Sequence, residues 1–371
     1  MINVLEFYNY LIKKDMDFFT GVPDSLLKDL WFCINNNSPK EKNIIAANEG
    51  NAVSIASGYN IATGKFGVVY MQNSGIGNAI NPLVSLADEE VYNIPMLLIV
   101  GLRGEPGIHD EPQHIKQGKI TIDLLKTIGI KTIILEDDYN NQIDYCYDYM
   151  KKTNKSIALI VKKNTFSKYN SNEINNYYNL TREESLNIIL QNLDIKKDII
   201  VSTTGKTSRE IFELRDKYNM DHCYDFLTVG SMGHTSSLAL GISLNSNKNV
   251  YCIDGDGAFI MHMGGLAVAI QNAKENFKYI LINNGAHESV GGPPTVAFNL
   301  DIKNILISFG FKHVFVANSK EEVTTYINKM KDISLSALII NVKQGSRPDL
   351  GRPTISPIDN KVAFINNLKG N

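Results

Sequence analysis

The sequence is short of cysteine, of net charge and of any long apolar stretch. Its four cysteines, Cys33, Cys146, Cys223 and Cys252, stand far apart with no C-x-x-C pair. That spacing argues against a zinc ribbon or a disulfide scaffold and fits a reducing cytoplasm. The 37 basic and 39 acidic residues leave a formal net charge of -2, so there is no basic field to draw nucleic acid or an anionic membrane. An anionic ligand has to be gripped by local groups. No apolar run reaches the roughly 18 residues that a membrane-spanning helix needs. The opening MINVLEFYNYLIKKD carries an early Glu and no apolar core, so it is not expected to be a signal peptide. What is present is ordinary for a soluble globular chain: 371 residues, 43% hydrophobic and 20% charged, with apolar material for two or so cores.

Short apolar runs alternate with helical patterns. DFFTGV (17–22), NIIAA (43–47), FGVVYM (66–71), PMLLIVG (95–101), TIILE (132–136) and SIALIVK (156–162) read as strands. They are near-continuous apolar runs, as expected of a parallel sheet covered on both faces. EFYNYLIKK, DSLLKDLWFCI, EGNAVSIASGYNIA and SGIGNAINPLVSLADEEVY read as the helices between them. This alternation predicts an α/β doubly wound domain. SKYNSNEINNYYNL (167–180) is polar and aperiodic and reads as a linker. Thr181 to Glu184 then form a capping box, and DIIVSTTG (198–205), NVYCIDGDG (249–257), YILINNG (279–285), HVFVAN (313–318) and SALIINVKQG (336–345) supply a second α/β set. The letters show no internal repeat.

Two strand ends carry the chemistry. Gly255-Asp256-Gly257 closes one strand, and Asn283-Asn284-Gly285 closes the next, with 25 residues (258 to 282) between them. That is room for one helix and one strand, so a βαβ unit brings Asp256 and Asn284 together at the carboxyl edge, where ligands of α/β sheets bind. A carboxylate, an amide oxygen and a backbone carbonyl make a hard, low-charge oxygen site suited to Mg²⁺ with phosphate oxygens. A glycine-rich turn before a helix suits a diphosphate. Either motif alone reads as an ordinary turn or loop. TTGKTSRE (203–210) ends like a phosphate-binding P-loop, but Ile200 stands where that motif needs its first glycine, so an ATPase is excluded.

The pair resembles the signature of thiamine-diphosphate enzymes. By that resemblance Asp256, Asn284 and the Ala286 carbonyl hold Mg²⁺. Thr204, Gly205, Gly255, Gly257 and Ala258 meet the diphosphate. In LTVGSMGHTSSLALG (227–241), Gly230 offers its carbonyl to the 4'-amino group and Met232 supports the bent cofactor. Glu49, in AANEGNAVSIASGYN (46–60), is the carboxylate that stabilises the imino tautomer of the aminopyrimidine; without the resemblance it is an ordinary first-turn acid. The implied architecture is two doubly wound parallel-sheet domains, a pyrimidine domain (1–166) and a diphosphate domain (181–371), with no middle domain.

A two-domain chain of this length resembles the phosphonopyruvate and sulfopyruvate decarboxylases. FFTGVPDS (18–25), NSGIGNAINPL (73–83), GLRGEPGIHDEPQH (101–114), NNGAHESVGGPPT (283–295) and GSRPDLGRPT (345–354) carry the likeness. It implies non-oxidative loss of CO₂ from an anionic 2-oxo acid, 3-phosphonopyruvate first, as a step of phosphonate biosynthesis. Asp24 and the loop histidines His109 and His114 are then the active-site acid and proton relays, with Asp110 and Glu111 beside them. His287 is a further candidate, and Arg103, Lys116, Arg347 and Arg352 are candidates for gripping the phosphonate. Without the resemblance these read as solvated surface groups. The resemblance implies at least a homodimer, with sites shared between chains. Two alternatives stay open: a decarboxylase of sulfopyruvate or another anionic 2-oxo acid, and a catalytically silent cofactor-binding protein.

Overall fold

The apolar runs become strands because both faces of each sheet are covered. In the N-terminal part these are β1 (Phe19–Gly21), β2 (Asn43–Ile45), β3 (Gly67–Gln72), β4 (Met96–Gly101), β5 (Lys131–Ile134) and β6 (Ile157–Val161). All pairings are parallel, in the order β2-β1-β3-β4-β6-β5. Val68, Tyr70, Leu97 and Ile99 pack into one core, while their neighbours Val69, Met71, Leu98 and Val100 pack into another on the opposite face. A strand with alternate residues in two dry cores has to be apolar throughout. The computed structural model describes residues 1–169, 176–194 and 196–369. It divides into two compact units, Met1–Glu173 and Ile174–Asn371. The segment 167–180, read as a linker, lies partly outside the described residues.

The second unit repeats the plan. Its strands are β7 (Asp198–Ser202), β8 (Asp225–Leu227), β9 (Asn249–Gly255), β10 (Phe277–Asn283), β11 (His313–Ala317) and β12 (Ser336–Asn341). Their order, β11-β12-β10-β9-β7-β8, is the order of the first sheet strand for strand. Tyr251, Ile253, Ile280 and Ile282 face one core, and Val250, Cys252, Tyr279 and Leu281 the other. The Thr181 capping box is formed, with its hydroxyl accepting from the Glu184 N–H at 3.0 Å. In both sheets the chain runs outward from the first strand and returns on its other side. This makes a switch point between β1 and β3 and another between β7 and β9, each with a crevice at the carboxyl ends.

Two local expectations are corrected, and one strand stands where none was expected. The helix expected from Asp24 begins at Lys28, because the Asp24 carboxylate accepts the Leu26 N–H at 3.1 Å and holds the chain in a turn. The helix expected to run through Tyr92 ends at Ser85. Beyond it, the Asp88 carboxylate accepts the Glu90 N–H at 2.9 Å, and its carbonyl accepts from Val91 and Asn93. The unexpected strand is β8, three residues without an apolar run. Charge and amide contacts hold it instead: Arg215 makes two 2.8 Å bonds to the buried Asp225 carboxylate, and Asn360 donates to the Asp225 carbonyl at 2.8 Å. No helix among the described residues is long and apolar enough to cross a membrane.

Breaking a buried ion pair leaves a naked charge. Asp225→Ala should therefore cost about 3–5 kcal/mol in urea unfolding, whereas the double change Arg215→Met with Asp225→Leu should cost far less. Equal losses from the two would show that packing of β8, rather than the stranded Arg215 charge, sets the penalty.

Candidate active site and metal centre

The register of β9 and β10 pairs Gly255 with Ile282, so the next residues of both strands meet at the carboxyl edge. There the Thr295 hydroxyl donates to the Asp256 carboxylate, and the Asn284 backbone N–H partly offsets the burial of that charge. Asp256 is 3% exposed and receives no ion pair among the described residues; burial pushes its carboxyl up to about 7. The chain folds back so that Thr295 N–H donates to the Gly285 carbonyl at 2.9 Å and His287 N–H to Pro293 at 2.8 Å. Asn284 is buried, its side-chain oxygen accepting from Ala286 N–H at 3.1 Å. No hydrogen bond reaches the Ala286 carbonyl among the described residues. One buried, uncompensated carboxylate with an amide oxygen and a free carbonyl beside it is a donor set that fits Mg²⁺.

The turn expected to meet a diphosphate lies at the end of β7. Gly205, with φ 91°, turns the chain into the helix Lys206–Lys217, whose first N–H groups are free for an anion. Thr204 ties this turn to the next loop by donating to the Val229 carbonyl at 2.7 Å. That loop carries Gly230 and a half-buried Met232. A Cβ on Gly257 would lie 3.2 Å from Met232 Cε and 2.8 Å from His287 Nδ1, so glycine is what lets these side chains close over the strand end. His287 is part of this cluster, and burial drives its imidazole down to about 4, leaving it uncharged at neutral pH.

In the N-terminal unit Glu49 opens the helix Glu49–Thr63 and is 5% exposed. Asn78 donates to its Oε2 at 2.8 Å, while Oε1 lies so close to Gly75 that a Cβ there would be 2.2 Å away. Burial raises the Glu49 carboxyl. It is a fixed acid with one oxygen held by the protein.

Asp24 is fully buried after β1, its Oδ2 packed against Gly101 at the end of β4. Its Oδ1 has no partner, and burial, opposed by the Arg103 charge, takes its carboxyl up to about 6. Arg103 is already engaged: it holds Asp110 through Nε at 2.8 Å and Nη2 at 2.5 Å, and donates to Ser25 at 2.9 Å. Burial works against ionisation of Asp110, but the Arg103 bonds and the Gly104 N–H bring its carboxyl to about 2. His114 is not on a loop. It lies in the first turn of the helix Pro112–Thr127, 8% exposed, with Nδ1 unpartnered; burial and the Arg103 charge lower it to about 4. His109 stays on the loop and is exposed, and Lys116 is exposed on the helix.

Arg347 is placed elsewhere. It pairs with Glu183, Glu213 and Asp349, and Glu213 lies eight residues, about 12 Å, along the helix from Gly205. Arg352 is exposed on the same segment. Sequence reasoning missed Asn78, Thr295 and Glu288. Asn78 and Thr295 stand inside quoted segments but acquire partners only when distant loops meet. Glu288 collects Asn284, Arg182 and Lys206, at 2.8, 2.9 and 2.9 Å. Arg182 itself is hidden inside the capping box, where it reads as helix-start decoration.

Residues 203–340 match the family model of the thiamine pyrophosphate enzyme C-terminal TPP binding domain, and residues 6–125 that of the N-terminal TPP binding domain. The chain is 29% identical over 359 residues to the phosphonopyruvate decarboxylase of Streptomyces hygroscopicus, covering 91% of this chain and 86% of that protein. It is 27% identical to the sulfopyruvate decarboxylase of Methanosarcina acetivorans, covering 89% of each. It is 36% identical over 163 residues to the sulfopyruvate decarboxylase subunit alpha of Methanocaldococcus jannaschii, covering 42% of this chain and 90% of that one.

A carboxyl whose folded pKa is about 6, against an unfolded value near 3.9, holds its proton longer when folded. Stability is then full below about pH 4 and is lost as pH rises through about 6. Asp24→Asn, which cannot ionise, should unfold like the parent protein near pH 4. It should be more stable, by up to about 3 kcal/mol, above pH 6. Thermal unfolding across that range reads this directly, and a pH-independent difference would mean that Asp24 is ionised throughout.

Proposed function

The chain belongs to the thiamine-diphosphate-dependent 2-oxo acid decarboxylases, and from that premise we propose that it converts 3-phosphonopyruvate to phosphonoacetaldehyde and CO₂. The placement of Asp256 and Asn284 at the carboxyl ends of two paired strands carries the cofactor reading, because it assembles a hard oxygen site beside a helix N-terminus. Likeness to a phosphonopyruvate decarboxylase along 91% of the chain supports the substrate.

Asp256, Asn284 and the Ala286 carbonyl would hold Mg²⁺, and Thr204, Gly205, Gly255, Gly257 and Ala258 the diphosphate. When bound, thiamine diphosphate supplies a nucleophilic carbon and an electron sink for the electrons that CO₂ leaves behind. The chain's own residues manage protons and charge. Glu49, buried and raised, would be the residue to hold a proton at the pyrimidine ring and so favour its imino tautomer. The product needs one proton at the former carboxyl-bearing carbon. Asp24, which keeps its proton to about 6, and the uncharged His114 are the acid and relay the reading assigns to that step, both under the field of Arg103. Arg103 serves the phosphonate only by sharing its Asp110 bonds; Lys116 and Arg352 are exposed cations. The proposal includes at least a homodimer, with Glu49 of one chain serving the Asp256 motif of another.

The purified chain with thiamine diphosphate and Mg²⁺ should release CO₂ from phosphonopyruvate with a higher kcat/KM than from sulfopyruvate or pyruvate. Faster release from sulfopyruvate would overturn the substrate and leave the cofactor site standing. Glu49→Gln should lower kcat about 10²–10⁴-fold at an unchanged Tm; near-normal turnover would remove Glu49 from the pyrimidine role.

A further inference from the structure

We propose that Glu288 is a positioning residue for the metal centre: it sets which end of the Asn284 amide faces the ion. This rests on the reading of Asn284 as a metal ligand.

An asparagine amide has two ends of nearly the same shape, and packing distinguishes them poorly. Only the oxygen end can ligate a cation. The Asn284 amide nitrogen donates to Glu288 Oε2 at 2.8 Å. A carboxylate accepts and never donates, so this contact is attractive in one orientation and repulsive in the other. On the opposite side the Ala286 N–H, 3.1 Å from Asn284 Oδ1, favours the same orientation. It is a longer bond to a neutral donor; the charged acceptor is the stronger restraint.

Glu288 sits in a single turn of 3-10 helix, Glu288–Val290, a weak base for a precise contact. Its position comes from elsewhere. Arg182 reaches Oε2 at 2.9 Å, and Lys206 reaches Oε1 at 2.9 Å. Arg182 is in turn held by two 2.7 Å bonds to Glu210. Arg182 and Glu210 are 5% and 1% exposed and stand on the helices Arg182–Asn192 and Lys206–Lys217. The two cations and two carboxylates balance among themselves. The bond to Asn284 adds nothing to that balance. What it does is carry the rigidity of two helices into the loop that ends β10. Lys206 also follows Gly205 directly, so one carboxylate links the diphosphate turn to the metal loop.

The test is Mg²⁺ titration by calorimetry at a fixed, saturating concentration of thiamine diphosphate, with circular dichroism and Tm as controls on folding. Glu288→Gln can accept or donate and no longer selects the orientation. It should bind Mg²⁺ about 10–100-fold more weakly, the range typical for lost outer-shell partners, with its secondary structure intact. Asn284→Asp removes the distinction between the two ends. The double variant Glu288→Gln with Asn284→Asp should therefore regain most of the lost affinity. Asn284→Asp alone should stay weak, because two carboxylates would then face each other. Normal Mg²⁺ binding by Glu288→Gln, or failure of the double variant to recover, would overturn the proposal. Asp256→Asn separates the two levels: normal Mg²⁺ binding there would sink the metal-site reading itself, whatever Glu288 does.

Discussion

Parallel strands all end on the same edge, and the site depends on that constraint. In each unit six carboxyl ends converge on one rim, where the backbone stops pairing and side chains turn inward. Asp24, Glu49, Asp254 and Asp256 all lie on these rims, and all are buried. Burial raises each of them, and none has an ion pair among the described residues. Such acids are tolerable only because both faces of each sheet pack into dry cores that offset their cost. The arrangement keeps protonatable and metal-seeking groups out of water without neutralising them, which catalytic and binding sites require.

Two sheets with one strand order do different work because their rims differ. The first rim carries Asp24, Glu49, Arg103, Asp110 and His114, a cluster of ionisable side chains. The second carries glycines, threonines and the Asp256–Asn284 pair, which leave the backbone open to close approach. Where the first rim needs a charged side chain fixed, Asp110 knots the loop: it accepts from Arg103, from the Gly104 N–H and from the Glu111 N–H. Where the second needs an amide fixed, the helix-borne Arg182 and Lys206 hold Glu288 in place.

Much of this was legible in the sequence. Strands such as β4 and β10 announce themselves because a strand buried on both faces must be apolar throughout. The Asp256–Asn284 meeting was legible because a βαβ unit of that length leaves the chain little choice. β8 was not, since Asp225-Phe-Leu227 owes its place to an arginine ten residues earlier and to Asn360. Nor could Arg103 and Arg347 be told from free anion grips. Their carboxylate partners are set by the folded loops: Asp110 is near in sequence, but Glu183 and Glu213 are far from Arg347. Thr295 and Glu288 depend on a chain that doubles back, which no period or spacing records.

The strand order also shapes how the chain is made. Among the described residues β5 pairs only with β6, and β11 only with β12. In each unit the last strand to be synthesised slots between the fourth strand and the fifth. Until Ile157 emerges from the ribosome, β4 presents a fully buried-type apolar edge with nothing beside it. The same holds for β10 until Ser336 arrives. Each half of the nascent protein therefore passes through an interval with an open, sticky sheet edge. A slow ribosome or a premature stop within 135–156 or 318–335 would hold it there, which makes those stretches the points at which expression is most exposed to aggregation and to chaperone supply.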